Sequence, residues 1–363
     1  PLLKEVRYAV YNAFENYYAN SAAAHKLGVQ VYDQVNSVRE AFADEIGSFA
    51  SEIIFTSGAT ESNNIALKSS LLDKRLTNEK RHIITSCIEH KCILSICEYL
   101  KTQGVDVTYL KPDCSGIITA EQVIHAMRED TKLVSIMHVN NELGVVNPIE
   151  GIGQVCFDND VLFHVDAAQS FGKIDIDVDD FNIDLLSVSA HKIGGPKGIG
   201  ALYVRDLRYK DLVPVIHGAG QESGLRGGTV AAPLIIGFGT VINNFPEYYT
   251  SFSKRNVKQQ FLNLLNDRGI SFKVNGDDSS LPHCVSITFN NTDTETFILE
   301  NTHRFCLAQG SACSSKEVEP SHVLTAIGLN RELSDKTFRV SFPLDISNED
   351  LQQLVDSLKE YSN

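Results

Sequence analysis

The fold of this chain is indicated most clearly by residues 161–205, VLFHVDAAQSFGKIDIDVDDFNIDLLSVSAHKIGGPKGIGALYVR. Three short apolar segments lie within them, at 161–166, 185–190 and 200–205. Polar residues and glycines separate these segments, a pattern that predicts buried β-strands.

The same texture extends toward the N-terminus. EIIFTS (52–57), RHIITS (81–86) and KLVSIMHV (132–139) are β-rich segments, and a helical pattern follows each of them, beginning near Thr60 and His90 after the first two. This alternation predicts an α/β fold with a mostly parallel sheet covered by helices on both faces. Ligands in such sheets bind at the carboxyl ends of the strands.

The length and composition predict more than one domain. The chain has 363 residues, of which 43% are hydrophobic and 21% are charged, as expected for a globular protein with a sizeable core. Beyond about residue 245 the pattern changes, and predicted strands such as CVSITF (284–289) and FRVSF (338–342) are separated by helical patterns. We therefore predict a large domain over 12–245 and a smaller α+β domain over 246–363, to which we assign residues 1–11.

The charge and the apolar segments narrow the class of protein. A formal net charge of -14 argues against direct nucleic-acid binding, which needs clustered Lys and Arg. No uninterrupted apolar run reaches the about 18 residues of a membrane helix, and the first residues, PLLKEVRYAV, lack the apolar core of a signal peptide. We predict a cytoplasmic protein without membrane attachment.

The eight cysteines lack the spacing of a disulfide framework and predict reduced thiols. Six lie in or beside apolar segments, where cysteine is a small buried hydrophobe: Cys87, Cys92, Cys97, Cys156, Cys284 and Cys306. Cys114 falls in the turn-like PDCSG. Cys313 differs from all of these, because GSACSS (310–315) surrounds its thiol with small residues and offers nothing apolar to pack against.

Several common cofactor motifs are missing from the sequence. There is no GxGxxG after the first strands and no GxxxxGK[ST], which argues against NAD and ATP. There is no CxxC pair and no HExxH, so we expect no metal.

Polar residues stand instead where strands end. In TSGAT (56–60), Gly58 permits a tight turn, so the amides near Ala59 and Thr60 either hold an anion or only begin a helix. Asp166 is the last residue of an apolar strand, and it is either a site residue or the cap of the next helix. Lys192 follows another strand and is either solvated or a desolvated amine able to form a Schiff base.

Seven motifs, in order, resemble the NifS/IscS-type cysteine desulfurases, which are pyridoxal-phosphate enzymes of fold type I. The motifs are TSGATESNN, IEHK, MHVNNELGVVNPI, FHVDAAQS, SAHKIGGPKG, GLRGGT and GSACSSKEVEPSHVL. The resemblance extends from about residue 25 to residue 345. It implies a large domain with a mostly parallel seven-stranded sheet, a smaller α+β domain that carries the catalytic cysteine loop, and a homodimer.

The resemblance also implies roles for individual residues. Lys192 matches the lysine that carries pyridoxal phosphate. His90 matches the imidazole stacked on the pyridine ring, and Asp166 the partner of the ring nitrogen. Gln169 matches the residue that hydrogen-bonds the phenolic oxygen, and Asn141 lies on the substrate and cofactor side.

The remaining matches concern the phosphate and the substrate. Thr60, Ser189 and His191 match phosphate ligands, beside the Ala59 amide. Thr229 matches the threonine that reaches the phosphate of the other subunit. Arg339 matches the guanidinium that binds the substrate carboxylate, a task suited to its bidentate fork.

In such an enzyme Cys313 is the nucleophile. Its thiolate attacks the sulfur of bound L-cysteine after the Lys192 amine removes the Cα proton, which leaves alanine and a persulfide on Cys313. The small residues around Cys313 suit a mobile tether that carries sulfur to an acceptor protein.

Several alternatives stay open. The acceptor belongs to iron–sulfur assembly or thiolation, or to DNA sulfur modification. The segment VNGDDSSLPH (274–283) resembles the desulfurases of DNA phosphorothioation systems. A selenocysteine lyase or an aminotransferase would use the same cofactor, although an aminotransferase does not need Cys313. Family members usually begin earlier, with a further strand, so a truncated sequence or a non-catalytic assembly subunit is a further hypothesis.

Overall fold

The computed structural model of the chain describes residues 1–72, 81–207, 212–277, 279–309 and 320–362. The chain forms two compact units. The first comprises Pro1–Leu110, Thr119–His138 and Pro148–Glu247, and the second comprises Lys111–Ile118, Val139–Asn147 and Tyr248–Asn363. Residues 1–11 belong to the first unit, and the domain boundaries drawn from the sequence stay a prediction.

The regular elements follow one another in the order that the sequence patterns indicate. The first helices are α1 (Lys4–Asn16), α2 (Lys26–Glu45), α3 (Ala59–Leu72), α4 (Lys91–Thr102), α5 (Ala120–Ala126), α6 (Ile149–Asp158) and α7 (Ala232–Lys254). The first strands are β1 (Ile53–Thr56), β2 (His82–Ser86), β3 (Asp106–Leu110), β4 (Thr131–Met137), β5 (Leu162–Asp166), β6 (Leu185–Ser189) and β7 (Gly200–Val204).

The second unit adds shorter elements. Its helices are α8 (Val257–Asp267), α9 (Thr294–Asn301), α10 (His322–Ala326), α11 (Arg331–Asp335) and α12 (Asn348–Glu360). Its strands are β8 (Phe272–Asn275), β9 (Cys284–Phe289), β10 (Ala308–Gln309) and β11 (Thr337–Ser341), which form an antiparallel sheet in the order β10-β11-β9-β8.

The large sheet has seven strands in the order β1-β7-β6-β5-β4-β2-β3. The pairs within β6-β5-β4-β2-β3 are parallel, whereas β7 is antiparallel to both of its neighbours, β6 and β1. The predicted α/β fold with a mostly parallel seven-stranded sheet is confirmed.

In this topology the ends of several strands lie at the same edge of the sheet. The parallel strands β2, β3, β4, β5 and β6 all end there, and two successive antiparallel pairings bring β1 back to the same direction. The register pairs both Thr56 and Ser189 with Gly200, so the ends of β1 and β6 flank the start of β7. The edge at which a ligand is expected therefore receives loops from the ends of six strands, β1 to β6.

The strands are buried on both sides, which explains why they read as apolar runs without alternation. Every residue of β1, β2, β6 and β7 is buried. One core cluster joins strand residues such as Ile54 and Leu202 to Ile65 of α3 and Ile96 of α4. A separate aromatic cluster stacks Phe42 of α2 on Phe171, with ring centroids 4.9 Å apart.

Candidate active site

Asp166 lies at the carboxyl end of β5, where it is 5% exposed. Its Oδ2 accepts a hydrogen bond of 2.9 Å from Asn63 Nδ2 on α3, and its Oδ1 accepts one of 3.0 Å from the Ala168 backbone amide. Because both oxygens are held, the carboxylate has a fixed orientation at the edge of the sheet. Such a group suits a cationic ring nitrogen, which a carboxylate keeps protonated.

The turn between β1 and α3 forms a cradle for an anion. Gly58 has a φ of +148°, and a Cβ there would lie 3.3 Å from Ser189 Oγ. Gly200 approaches so closely that its own Cβ would come within 2.6 Å of Gly58 Cα. Ala59 and Thr60 begin α3, so their amides point out of the helix N-terminus, where phosphate groups bind.

Ser189 and His191 stand beside this cradle. Ser189 Oγ and His191 Nδ1 are hydrogen-bonded at 3.0 Å. Burial, and then the positive charges of Lys192 and Lys197, lower the pKa of His191. The space beside Gly58, which a Cβ would fill, is therefore surrounded by a hydroxyl, an imidazole and helix amides. This set of donors fits a phosphate monoester.

Lys192 sits on a single 3₁₀ turn, Ala190–Ile193, directly after β6. The turn ends at Gly194, whose φ of +83° is left-handed, and the Gly194 carbonyl accepts a hydrogen bond of 3.2 Å from the Leu3 amide. The short turn therefore places Lys192 three residues beyond the strand end that carries Ser189.

His90 is the N-cap of α4, so its ring is anchored to the backbone. Its Nδ1 accepts a hydrogen bond of 3.2 Å from the Cys92 amide. Cys92 Sγ lies 3.1 Å from the same nitrogen and accepts a hydrogen bond of 3.3 Å from Asn63 Nδ2. Cys92 is half-buried and packs against the apolar core, and its thiol is in addition part of this polar network.

Glu89, next to His90, is a fully buried acid that the sequence motifs did not single out. Its Oε1 accepts hydrogen bonds from Ser86 Oγ at 2.8 Å and from the Met137 amide at 3.0 Å. These contacts tie the end of β2 to the end of β4. Burial raises the pKa of Glu89 to about 8, with a smaller contribution from the negative charge of Asp166, so the group is mostly neutral at pH 7.

Two further predicted residues lie in the first unit. Gln169 is half-buried, and its backbone carbonyl accepts a hydrogen bond of 3.0 Å from Lys173 Nζ. Thr229 is exposed. It follows Arg226, whose guanidinium pairs with Glu61 of α3 at 3.2 Å. This ion pair connects the GLRGGT segment to the first turn of α3.

In the second unit the structure brings Asn141 and Arg339 together. Arg339 Nη1 donates a hydrogen bond of 3.0 Å to the Asn141 backbone carbonyl. The buried Arg339 Nε has no hydrogen-bond partner within the described ranges. The guanidinium thus keeps a buried donor that a carboxylate ligand would satisfy. Cys313, the predicted nucleophile, lies outside the described residues.

Two kinds of feature are absent from the described part of the chain. None of its helices is both long and apolar enough to cross a membrane. Within the same residues, no group of three or more His, Cys, Asp or Glu side chains is arranged to hold a metal ion.

Residues 1–354 match the class-V aminotransferase family. The cysteine desulfurase IscS of Vibrio vulnificus (strain YJ016) is 40% identical over 356 residues, which cover 96% of this chain and 86% of the relative. The solved structure of SspA in complex with cysteine is 48% identical, covers 94% of this chain and 96% of its own, and has a TM-score of 0.85. A solved NifS-like protein is 31% identical, covers 99% and 95%, and has a TM-score of 0.90.

Replacing Glu89 by Gln tests the buried acid. Because its folded-state pKa lies above that of free glutamate, the folded protein binds an extra proton between about pH 4.5 and 8 and loses stability as the pH rises through that range. A glutamine stays neutral. Between pH 6 and 8 we expect the free energy of unfolding of the wild type to fall by about 2 kcal/mol relative to Glu89→Gln, measured by urea denaturation.

Glu98→Gln is the control, because Glu98 is exposed and its pKa is lowered by Lys101 and Tyr109. This variant should follow the wild type between pH 6 and 8. The same pH dependence in wild type and Glu89→Gln would contradict a neutral Glu89.

Proposed function

The chain belongs to the class-V aminotransferase family and, within it, to the cysteine desulfurases, and on that premise we propose how its residues convert L-cysteine to L-alanine and retain the sulfur. The observation that carries the proposal is the convergence of Asp166, the Gly58 turn and Ser189 at one edge of the sheet. These groups provide a carboxylate, helix amides and a hydroxyl for a single phosphorylated cofactor.

Membership in the family implies pyridoxal phosphate as the cofactor. Its ring, when bound, draws away the negative charge left on the substrate Cα. We assign the Lys192 amine to hold it covalently and Asp166 to face its ring nitrogen, with His90 against the ring and Gln169 at the phenolic oxygen. The phosphate ligands are the start of α3 at Ala59 and Thr60 together with Ser189 and His191.

The substrate is oriented by its own charged groups. Arg339 suits the carboxylate of L-cysteine, because its planar guanidinium offers two parallel donors. The buried Nε that has no partner among the described residues supports this assignment. Asn141, whose backbone carbonyl holds Arg339 at 3.0 Å, keeps its side chain for the substrate side of the site.

The chemical step divides between two side chains. The Lys192 amine takes the proton from the substrate Cα. The Cys313 thiolate then forms a bond to the substrate sulfur while the C–S bond breaks, and the electron pair of that bond stays on Cβ. Cβ takes up a proton, and Lys192 returns a proton to Cα, which gives alanine. The products are L-alanine and a persulfide on Cys313, ready for transfer to an acceptor.

Cys313→Ala and Lys192→Ala separate the two parts of this proposal. We expect Cys313→Ala to retain the cofactor absorbance and to release less than about 1% of the wild-type sulfide, because the nucleophile is gone. We expect Lys192→Ala to lose the borohydride-reducible link between protein and cofactor. The measurement is absorbance of the purified holoenzyme, followed by quantification of alanine and sulfide after addition of L-cysteine.

Cys306→Ala is the matched control, since Cys306 is an exposed free cysteine near the same segment. It should leave sulfide release unchanged. Normal turnover of Cys313→Ala, or a reducible adduct that survives in Lys192→Ala, would refute the corresponding assignment.

We propose that the functional form is a homodimer. The α1 and α2 region exposes large aromatic side chains that a monomer would leave in water: Tyr8 at 66%, Tyr11 at 65%, Phe14 at 61% and Tyr32 at 57%. A second copy covering this face agrees with the family role of Thr229, which reaches the phosphate of the other subunit.

Light scattering should therefore give twice the 40.0 kDa mass of the chain. Tyr11→Glu should raise the dissociation constant of the dimer at least about tenfold, because it buries an unpaired charge. Phe157→Glu, on an exposed residue of α6, should not. A monomeric wild type would contradict the proposal.

The acceptor is the finer part of the function. We propose supply of sulfur to iron–sulfur assembly or to thiolation in the cytoplasm first, and DNA sulfur modification second. Labelled sulfur from L-cysteine, followed into clusters, tRNA and DNA of cells that produce the chain, would distinguish these acceptors. Label in DNA alone would overturn the order.

A further inference from the structure

Four side chains form a continuous hydrogen-bonded line around the candidate site, which we call the Asp166–His90 line. It begins at Asp166 Oδ2, which accepts from Asn63 Nδ2 at 2.9 Å. Asn63 Nδ2 also reaches Cys92 Sγ at 3.3 Å, and Cys92 Sγ lies 3.1 Å from His90 Nδ1. The line therefore connects Asp166, assigned to the ring nitrogen of the cofactor, with His90, assigned to the face of the ring.

Donors and acceptors along this line are determined by chemistry. A backbone N–H can only donate, so the 3.2 Å contact from the Cys92 amide requires an unprotonated Nδ1 on His90. Neutral His90 then carries its proton on Nε2. Asn63 must turn its NH₂ toward Asp166, since its oxygen would repel the carboxylate, and the same NH₂ group donates to Cys92 Sγ.

The Cys92 sulfur is hydrogen-bonded to Asn63, to the Thr60 side chain and to the Ile93 amide, all of which can donate to it. The unprotonated Nδ1 of His90 can only accept, so its 3.1 Å contact with Cys92 Sγ requires the S–H as a second donor beside the backbone amide. Burial, and then the negative charge of Asp166, raise the pKa of Cys92 above that of a free thiol, which keeps the S–H in place at neutral pH. This argues against Cys92 as a second sulfur carrier, which would need a thiolate.

Asn63 is placed to orient the thiol. It is fully buried, and its Oδ1 has no hydrogen-bond partner among the described residues. An unsatisfied buried acceptor is costly, so packing alone does not account for an asparagine here. The hydrogen bonds from Asn63 to Asp166 and Cys92 account for the asparagine.

We propose that Cys92 is a positioning residue, oriented by Asn63, whose thiol donates to His90 Nδ1 and holds the imidazole as the Nε2–H tautomer. The proposal rests on the assigned role of His90 in the site. It makes His90 a donor through Nε2 and disfavours a second proton on Nδ1, because both donors there would have to move away.

The test compares Cys92→Ala with Cys92→Ser in the holoenzyme. Histidine labelled with ¹⁵N is titrated by NMR, and His90→Gln identifies the His90 signals. Loss of one donor to Nδ1 should raise the titration midpoint of His90 by about 0.5 to 1 pH unit in Cys92→Ala. Cys92→Ser keeps an O–H donor and should remain within about 0.3 unit of the wild type. The acidic limb of kcat against pH should shift with the NMR midpoint.

Controls separate this inference from packing and from the proposed function. Cys114→Ala removes an exposed thiol and should leave His90 unchanged. An unchanged midpoint in Cys92→Ala, or an equal shift in Cys92→Ser, would overturn the proposal. A wild-type Nδ1–H tautomer would overturn it as well. Since the NMR signal does not depend on turnover, the expected shifts in a protein that releases no sulfide would support the Cys92 inference while refuting the proposed function.

Discussion

The hydrogen bond from Asn63 to Asp166 is the contact around which the site is arranged. It spans 2.9 Å and joins α3 to the end of β5, two elements whose residues are 103 positions apart in the chain. Fixing α3 against β5 also fixes the start of α3 beside Ser189, because Gly58 and Gly200 are in backbone contact there. One helix thus serves the proposed ring-nitrogen site through its side chain and the phosphate site through its amides.

The polar groups beneath this edge are kept neutral. His164 lies two residues before Asp166 on β5 and is hydrogen-bonded to Ser135 Oγ at 2.8 Å and to Ser187 Oγ at 3.0 Å. Burial lowers the pKa of His164 to about 3, and burial raises that of Glu89 to about 8. Neutral groups with hydrogen-bond partners avoid the large desolvation cost of buried charges. His164 and Glu89 therefore add little buried charge at this end of the sheet at neutral pH.

The two units contribute different chemistry. The first provides the carboxylate, the anion cradle and Lys192, and the second provides Arg339 held by the Asn141 carbonyl. The hydrogen bond from Arg339 Nη1 to the Asn141 carbonyl already restrains the arginine side chain, which limits the side-chain entropy lost when a carboxylate binds.

The strand and helix order and the polar residues at strand ends could be predicted from the sequence, because each depends on neighbours within a few positions. The alternation of strands with helices predicted the mostly parallel sheet. Asp166 and Lys192 could be singled out because they directly follow apolar strands. Asn63, Cys92 and Glu89 could not, because an asparagine inside a helix, a cysteine among apolar residues and a glutamate in a turn have ordinary local patterns. Their roles depend on the folded structure, because Asn63 meets Asp166 and Cys92, and Glu89 meets Met137, only after elements that are distant in the chain pack together.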